Sequence, residues 1–250
     1  MKVLILSDIH ANEEALDAVL TEAPPTNYDQ LLILGDLVGY GASPNEVVDR
    51  VFALDPDVLI RGNHDKAASG VEEPDTFNEV AAAAALWTRE TLTESNRARV
   101  AALPRGPAFS GEDIEVCHGT PFDEDVYVFD RSIAMRALSS AQRRVCFFGH
   151  THLPVAYALR QPSTLEVIVP ELGDTAPSMV PLDGELQYLI NPGAVGQPRD
   201  GDPRASYGVL DTESHTVELR RVPYRIDFAQ EKILAAGLPT PLARRLGVGR

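Results

Sequence analysis

The chain has 250 residues, 44% of them hydrophobic and 24% charged, which is the composition of a globular protein with a sizeable core. Its 22 basic and 37 acidic residues give a net charge of −15, and this argues against nucleic acid as a partner because polyanion binding needs a basic surface. No run approaches the roughly 18 apolar residues of a membrane span. A strand-like apolar run follows Met1-Lys2 directly, without a signal-peptide cleavage site. These features predict a cytoplasmic protein outside the membrane.

The first 65 residues alternate short aliphatic runs with amphipathic segments. The runs are typical of buried strands. The predicted strands are 3–6, 31–34 and 58–60. The amphipathic segments predict a helix over 13–22, capped by Asn12, and a second helix that begins at Pro44 after the N-cap Ser43. Asn12 is favoured as a helix cap over a substrate ligand. Such β–loop–helix units favour a mainly parallel sheet covered by helices.

The pattern then changes twice along the chain. A segment at about 75–104 predicts two helices, over 80–92 and 94–103, inserted between sheet strands as either a packing layer or a flap at the rim of a site. The next predicted elements are strands at 114–117 and 144–148 and a helix at 131–138. Later segments are short strands separated by turns, and these favour antiparallel pairing in a second sheet. They are 155–159, 165–169, 186–190, 206–210 and 216–222, followed by weak helices at 227–236 and 241–246. The chain 1–250 is predicted to be a single domain.

Polar side chains follow the ends of the predicted buried strands. Five of the six histidines lie there, together with three carboxylates and an amide. The set is Asp8, His10, Asp36, Asn63, His64, Asp65, His118, His150 and His152. One histidine at such a position is usually a hydrogen-bonded core residue, but so many polar groups at buried strand ends are costly unless a ligand needs them. Ligands of α/β sheets bind beyond the carboxyl ends of the strands. The set therefore predicts one site, whereas the sixth histidine, His215, is predicted to be exposed in a turn.

The residue types of this set indicate a metal site. Mixed imidazole, carboxylate and amide ligands suit borderline divalent ions, with manganese, iron, zinc and nickel as candidates, rather than calcium or magnesium. There are more candidate ligands than one ion uses. Two ions roughly 3.5–4 Å apart that share a carboxylate would use them all, and this arrangement promotes phosphoryl transfer.

Five sequence blocks resemble, in order, the signature blocks of the calcineurin-like metallophosphoesterase superfamily over about residues 3–210. The blocks are Asp8-Ile9-His10, Gly35-Asp36, Gly62-Asn63-His64-Asp65, His118-Gly119 and Gly149-His150-Thr151-His152. A late glycine-rich loop, from Asn191 to Arg199, is similar to that of the small bacterial phosphodiesterases of the YfcE type. The resemblance implies an α/β fold, a four-layer αββα sandwich in which helices flank two mixed sheets.

The same resemblance implies roles for individual residues. The implied metal ligands are Asp8, His10 and His152 for one ion, Asn63, His118 and His150 for the other, and Asp36 for both. Manganese is the preferred metal, with iron, zinc or nickel as alternatives. His64 would face the phosphate as general acid or transition-state stabiliser, oriented by Asp65. Gly62 would let the backbone turn before these residues.

The implied reaction is hydrolysis of a phosphodiester, in a small phosphoester or nucleotide, by in-line attack of a metal-bridging hydroxide. A nucleotidase or a dinucleoside-polyphosphate hydrolase is the alternative within enzymes. A protein phosphatase is disfavoured because the third block ends in Asp65 rather than glutamate, and a nuclease is disfavoured by the net charge. A non-catalytic scaffold of the same fold tolerates loss of the ligand histidines, and none is lost here.

Five further positions carry smaller expectations. Arg199 and Arg204 are candidates for a phosphate contact, with a surface ion pair as the equal alternative. Cys117 and Cys146 lie in apolar strand patterns and are predicted to be buried free thiols. Ala11 occupies a position where many relatives have glycine, which should matter little unless the loop needs a positive φ.

Overall fold

The computed structural model describes residues 1–160, 163–170 and 176–250. Within these ranges the chain forms twelve strands and eight α-helices. The strands are β1 Lys2–Leu6, β2 Gln30–Ile33, β3 Val58–Leu59, β4 Ala108–Ser110, β5 Ile114–Val116, β6 Val145–Phe147, β7 Val155–Arg160, β8 Thr164–Ile168, β9 Ser178–Pro181, β10 Gln187–Asn191, β11 Ala205–Asp211 and β12 Thr216–Val222. The helices are α1 Glu13–Glu22, α2 Pro44–Ala53, α3 Asn63–Ser69, α4 Glu79–Thr91, α5 Glu94–Ala101, α6 Arg131–Ser140, α7 Ile226–Ala235 and α8 Thr240–Leu246.

Strand β1 lies in the middle of the molecule and is buried on both faces. Because side chains alternate along a strand, Val3 and Ile5 point into the layer between the two sheets, and Leu4 and Leu6 point towards helices α1 and α2. All four side chains are fully buried. A strand covered on both faces has no polar alternation, and this explains the continuous aliphatic run in the sequence.

The strands form two six-stranded sheets within the described chain, with the orders β3-β2-β1-β11-β12-β9 and β4-β5-β6-β10-β7-β8. Strands β1, β2 and β3 pair in parallel, as predicted, and so do β5 and β6. A second sheet is present and the late strands pair antiparallel with one another, as expected, but they are divided between the two sheets. Strand β11 pairs antiparallel with β1, so that β11, β12 and β9 complete the first sheet, while β10, β7 and β8 complete the second.

The predicted four-layer sandwich is confirmed. Helices α1 and α2 cover the outer face of the first sheet, through side chains such as Leu16 and Val47. The two sheets pack face to face around an apolar layer that includes Phe147 and Tyr188. Helix α6 covers the outer face of the second sheet through Leu138. The layers are therefore helix, sheet, sheet, helix.

Most helices begin and end within two residues of the predicted positions. Asn12 caps α1, since its Oδ1 accepts a hydrogen bond from Ala15 N at 3.1 Å. Helix α3 was not predicted, because it has seven mostly polar or small residues and no apolar periodicity. No helix in the described ranges is long and apolar enough to cross a membrane.

The segment at 75–104 contains α4 and α5. Ala81 and Ala84 of α4 pack against α7 and α8, and α5 packs its buried Val100 beneath the first sheet. The end that precedes α4, including Phe77, instead lines a cavity described below. Most of the segment thus packs against other helices and the first sheet, and its start lies at the cavity.

Cys117 and Cys146 are free and buried, as predicted, with their Sγ atoms 3.7 Å apart. His215 is exposed in the turn between β11 and β12, as expected.

Candidate metal centre

The loops that follow β1, β2, β3, β5 and β6 meet at one end of the sandwich and bring the predicted polar residues together. Several of these loop residues have left-handed backbone, with φ between 49° and 66°. Among them are Asp8, His10, Ala11, Asp36, His150 and His152. Aspartate and histidine tolerate this conformation better than most residues. Alanine does not. The loop does need a positive φ at position 11, so Ala11 is strained there.

Two groups of candidate ligands form at this end, and they share one carboxylate. The first group is Asp8, His10, Asp36 and His152, and the second is Asp36, His118 and His150. Within each group the candidate atoms lie within 4.8 Å of one another, and every side chain is buried. Asn63 joins the second group, since its Oδ1 lies 3.2 Å from His118 Nε2. We call these seven residues the carboxylate–histidine cluster.

Backbone carbonyls fix the histidine rings of the cluster. The Nδ1 atoms of His10, His118 and His152 lie 3.1, 2.8 and 2.7 Å from the carbonyl oxygens of Val38, Leu34 and Gln197. A carbonyl accepts only, so each Nδ1 carries a proton, and the neutral rings of His10 and His152 present their Nε2 lone pairs to the cluster.

The Nε2 atoms of His10 and His152 are 3.1 Å apart. Two lone pairs at this distance repel unless a proton or a cation lies between them, and this arrangement fits a divalent metal ion.

The shared carboxylate also fits a cation. Asp36 Oδ1 accepts a hydrogen bond from His64 N at 2.8 Å, but buried Oδ2 has no hydrogen-bond partner in the described chain. That oxygen lies 3.5 Å from His10 Nε2 and 3.4 Å from His118 Nε2, one atom from each group. An unpaired carboxylate oxygen is costly in a buried site. It is placed where two positive charges would compensate it.

The pKa values within the cluster are shifted in different directions. Burial would lower the pKa of His118, but the Asp36 carboxylate outweighs it and raises the pKa to about 10. Burial lowers the pKa of His10, His150 and His152 well below the usual value, so these rings are neutral and available as ligands. Burial also raises the pKa of Asp8 to about 6. Without bound cations, keeping Asp8 charged in this site therefore costs free energy.

His64 lies beside the cluster and offers it no ring atom. Its ring packs against the rings of Tyr40 and Phe77, with centres 4.2 and 4.7 Å away, and against His10 at 4.9 Å. Burial lowers the pKa of His64 to about 4. Gly39, with φ +88°, approaches so closely that a Cβ there would be 2.6 Å from His64 Nδ1. The glycine therefore leaves room for the imidazole.

Asp65 does not make the contact through which it was expected to orient the His64 ring. Its Oδ2 accepts from Gly62 N at 2.9 Å and its Oδ1 from Val38 N at 3.2 Å, whereas His64 Nδ1 has no hydrogen-bond partner in the described chain. Asp65 instead fixes the first turn of α3, and the ring is held by Tyr40 and Phe77. Burial raises the pKa of Asp65 to about 7.

Gly62 has an extended backbone, with φ −110°, so no turn requires a glycine there. A Cβ at this position would lie 2.1 Å from Asp36 Oδ1. The glycine is required by the close approach of the shared carboxylate.

A cavity of about 400 Å³ opens beside the cluster and includes Asn63, His64 and His150 in its wall. Three aromatic side chains that sequence reasoning missed also line it: Tyr40, Phe77 and Tyr127. The Tyr127 ring stacks on His150 with centres 3.6 Å apart. A weak signal existed for Tyr40 alone, since the flanking glycines of Gly39-Tyr40-Gly41 mark a loop that approaches other backbone closely.

Basic residues near the cluster fall into two kinds. Arg61 is paired: its Nη2 and Nε donate to Glu124 at 2.9 and 3.2 Å. Arg204 also forms an ion pair, with Asp202 at 2.6 Å, so the ion-pair alternative is confirmed for it. Arg199 differs, because its Nη2 donates to the Gln197 side chain at 3.0 Å and to the Tyr40 hydroxyl at 3.4 Å. It has no carboxylate partner within 4.0 Å among the described residues.

A family model described as the calcineurin-like phosphoesterase superfamily domain matches residues 1–215. The chain belongs to the calcineurin-like phosphoesterase superfamily. It is similar to the uncharacterized protein MJ0912 of Methanocaldococcus jannaschii, with 34% identity over 250 residues that cover 99% of this chain and 98% of the relative. It is also similar to the phosphodiesterase YfcE of Escherichia coli strain K12, with 27% identity over 222 residues that cover 85% and 89% of the two chains.

Among solved structures of this superfamily, the metallophosphoesterase of Sphaerobacter thermophilus superposes with a TM-score of 0.86. The two proteins are 37% identical, and the match covers 100% of this chain and 99% of the other. Membership of the superfamily, the buried Asp/His cluster and its unpaired carboxylate oxygen together indicate a metal-dependent phosphoesterase.

Proposed function

We propose that this protein hydrolyses small phosphodiesters with the help of two divalent metal ions, of which manganese is the preferred species. The observation that supports this most directly is the position of Asp36 Oδ2, between the ring nitrogens of His10 and His118. A carboxylate shared by two ligand groups is what a two-ion centre needs. The proposed ligands are Asp8, His10 and His152 for one ion, Asn63, His118 and His150 for the other, and Asp36 for both.

When bound, two divalent ions would acidify a water molecule and neutralise charge on the phosphoryl oxygens. The protein side chains would supply orientation. His64 lines the cavity next to the cluster and would donate a hydrogen bond to the reacting phosphate. Tyr40 and Phe77 hold its ring, and Asp65 holds the turn from which it projects. Tyr127 and Phe77 give the cavity an apolar wall for the alcohol part of the ester.

The test is an activity assay on metal-stripped protein reloaded with manganese, iron, zinc or nickel. We expect bis-p-nitrophenyl phosphate to be cleaved faster than p-nitrophenyl phosphate, and elemental analysis should give two ions per chain. Full activity with one ion per chain would contradict the proposal of a two-ion centre. Preference for p-nitrophenyl phosphate or for diadenosine tetraphosphate would instead favour a nucleotidase or a dinucleoside-polyphosphate hydrolase.

A further inference from the structure

Two arginines from distant parts of the sequence meet beside the cluster. Arg199 lies in the loop after β10, and Arg245 lies in α8 near the end of the chain. Arg199 Nη2 and Arg245 Nη1 both donate to Gln197 Oε1, at 3.0 and 3.2 Å. Their guanidinium carbons lie 5.7 and 5.9 Å from the centre of the Tyr40 ring. Two positive groups therefore converge on one amide oxygen and one aromatic ring.

This convergence is unfavourable in the protein alone. Burial lowers the pKa of Arg245, and the charge of Arg199 lowers it further. Arg199 Nε is also buried without a hydrogen-bond partner in the described chain. An amide oxygen and an aromatic face compensate like charges only in part. Both guanidiniums thus have unused capacity to bind an anion.

Two arginines of the same region have carboxylate partners. Arg204 pairs with Asp202, and Arg221 pairs with Asp200. The protein has 37 acidic residues, yet none of those described lies within 4.0 Å of the Arg199 or Arg245 guanidinium. In a chain this acidic, two unpaired arginines that share one neighbour form a local positive site.

The position of this site relates it to the substrate. The Tyr40 ring that both arginines contact also packs on His10 and His64, with centres 4.7 and 4.2 Å away. Neither arginine reaches Asp8 or Asp36 within 4.0 Å. The Tyr40 ring thus links the guanidiniums to the cluster. A substrate with its reacting phosphate at the cluster would present a second phosphate, carried by its sugar, to the guanidiniums.

We propose that Arg199 and Arg245 form an anion subsite that binds a second phosphate group of the substrate, beyond the phosphate that is hydrolysed. The proposal rests on the proposed phosphodiesterase function and narrows its substrate class to phosphodiesters that carry a further phosphate across a spacer of about sugar size. It also gives a direct role in substrate choice to helix α8, which follows the last strand of the sandwich in sequence.

A matched pair of substrates tests the subsite. Thymidine 5′-(p-nitrophenyl phosphate) has only the reacting diester, and thymidine 3′-phosphate 5′-(p-nitrophenyl phosphate) adds one phosphate to the same molecule. We expect the manganese-loaded wild-type protein to cleave the second with a kcat/KM about tenfold higher, mainly through a lower KM, because charge-assisted hydrogen bonds bind the added group. The absence of any advantage in the wild-type protein would overturn the subsite without a variant.

Variants locate the effect. Arg245→Gln and Arg199→Gln should each remove most of the advantage of the added phosphate, whereas Arg244→Gln, an exposed neighbour on α8, should preserve it. Equal losses for both substrates in Arg245→Gln would mean that the arginine serves the reacting phosphate, and this result too would overturn the subsite.

Failure of the subsite is distinguishable from failure of the proposed function. If the metal-loaded protein cleaves neither ester, the proposed function fails, and calorimetric titration with thymidine 3′,5′-bisphosphate and thymidine 5′-monophosphate tests the subsite separately. A preference for the bisphosphate of about tenfold, lost in Arg245→Gln, would support it. Equal affinities in the wild-type protein would contradict it.

Discussion

Two clusters of charged side chains lie beside the same cavity. They differ in whether their polar atoms find partners within the protein. The carboxylate–histidine cluster leaves Asp36 Oδ2 without a hydrogen bond in the described chain and brings the Nε2 atoms of His10 and His152 within 3.1 Å. The second cluster, which we call the Arg61 network, consists of Arg61, Lys66, Glu124 and Asp125. Arg61 binds Glu124 at 2.9 Å, and Lys66 binds Asp125 at 2.7 Å.

The comparison separates two uses of buried charge. In the Arg61 network each charged group meets an opposite charge from the protein itself, so the set is neutralised without a bound ion. In the carboxylate–histidine cluster the charges do not balance without an external cation. A similar inventory of ionisable groups therefore indicates structure in one place and function in the other. Substitutions in the two clusters should accordingly affect different measurements.

The largest effect is expected from Asp36→Asn. An amide supplies no negative charge to share between two ions, so phosphoesterase activity should fall more than about a hundredfold and both metals should bind more weakly. Activity and metal content after gel filtration measure this. The matched control is Asp202→Asn, which removes a largely buried carboxylate outside the cluster and should retain both ions. Unchanged affinity for both metals in Asp36→Asn would remove Asp36 from the shared position.

His64→Ala should separate turnover from metal binding. His64 offers no ring atom to either ligand group, so both ions should stay bound while kcat falls by roughly 10²–10⁴-fold. His215→Ala, at the exposed histidine, is the control and should change neither quantity. Loss of one ion in His64→Ala would move His64 into the set of metal ligands.

Arg61→Ala tests the other half of the comparison. Removal of this guanidinium leaves the buried Glu124 with Lys66, whose Nζ lies 3.4 Å away, as its main partner. The free energy of unfolding should fall by about 1–3 kcal/mol, measured by urea denaturation, with metal content unchanged. Arg105→Ala is the control, because Arg105 is 56% exposed and lies 3.7 Å from the same Glu124. Its effect should stay below about 0.5 kcal/mol. A loss of metal in Arg61→Ala would show that the Arg61 network also supports metal binding, and this would contradict the separation of the two clusters.

The smallest effect concerns a paired carboxylate farther from the cavity. The hydrogen bonds from Arg204 lower the pKa of Asp202 from 3.8 to about 2. A depressed pKa of this kind contributes stability above pH 3.8 that is lost as the pH falls through 2. Asp202→Asn should therefore lower the free energy of unfolding by about 1 kcal/mol at pH 7, after allowance for solvent screening.

The difference from wild type, measured on metal-free protein, should shrink between pH 4 and pH 2, the interval that the two pKa values of Asp202 define. A difference that does not change with pH would assign the loss to packing rather than to charge.

The strands near the site could be predicted from sequence because burial on both faces leaves continuous aliphatic runs. Runs such as Val3–Leu6 also locate the polar residues that follow them, since a residue just past a strand end must lie at the edge of the sheet. The allocation of strands to sheets could not be predicted in the same way. The pairing of β11 with β1 joins Leu4 to Val209, and no local pattern in either strand records such a distant partner.

The limits at the site have the same origin. The ligand residues belong to short sequence blocks, and each block can be recognised from its local amino-acid sequence. The contacts of Tyr40 with His64, or of Arg245 with Gln197, exist only after the chain has folded. The contacts of Asp65 have the same limit: adjacency to His64 in sequence suggests a contact with the His64 ring, whereas the carboxylate reaches the backbone of Val38 and Gly62.

The left-handed backbone at the strand ends has a consequence for how this sequence can evolve. Asp8, His10, Asp36, His150 and His152 each satisfy two separate demands, one from the chemistry of the side chain and one from the sign of φ. Aspartate, asparagine and histidine are among the few residue types that tolerate both. A β-branched replacement would fail twice, and even a chemically suitable glutamate or cysteine would meet conformational resistance. Substitutions at these positions are therefore limited to a few residue types, whatever ligand the protein binds.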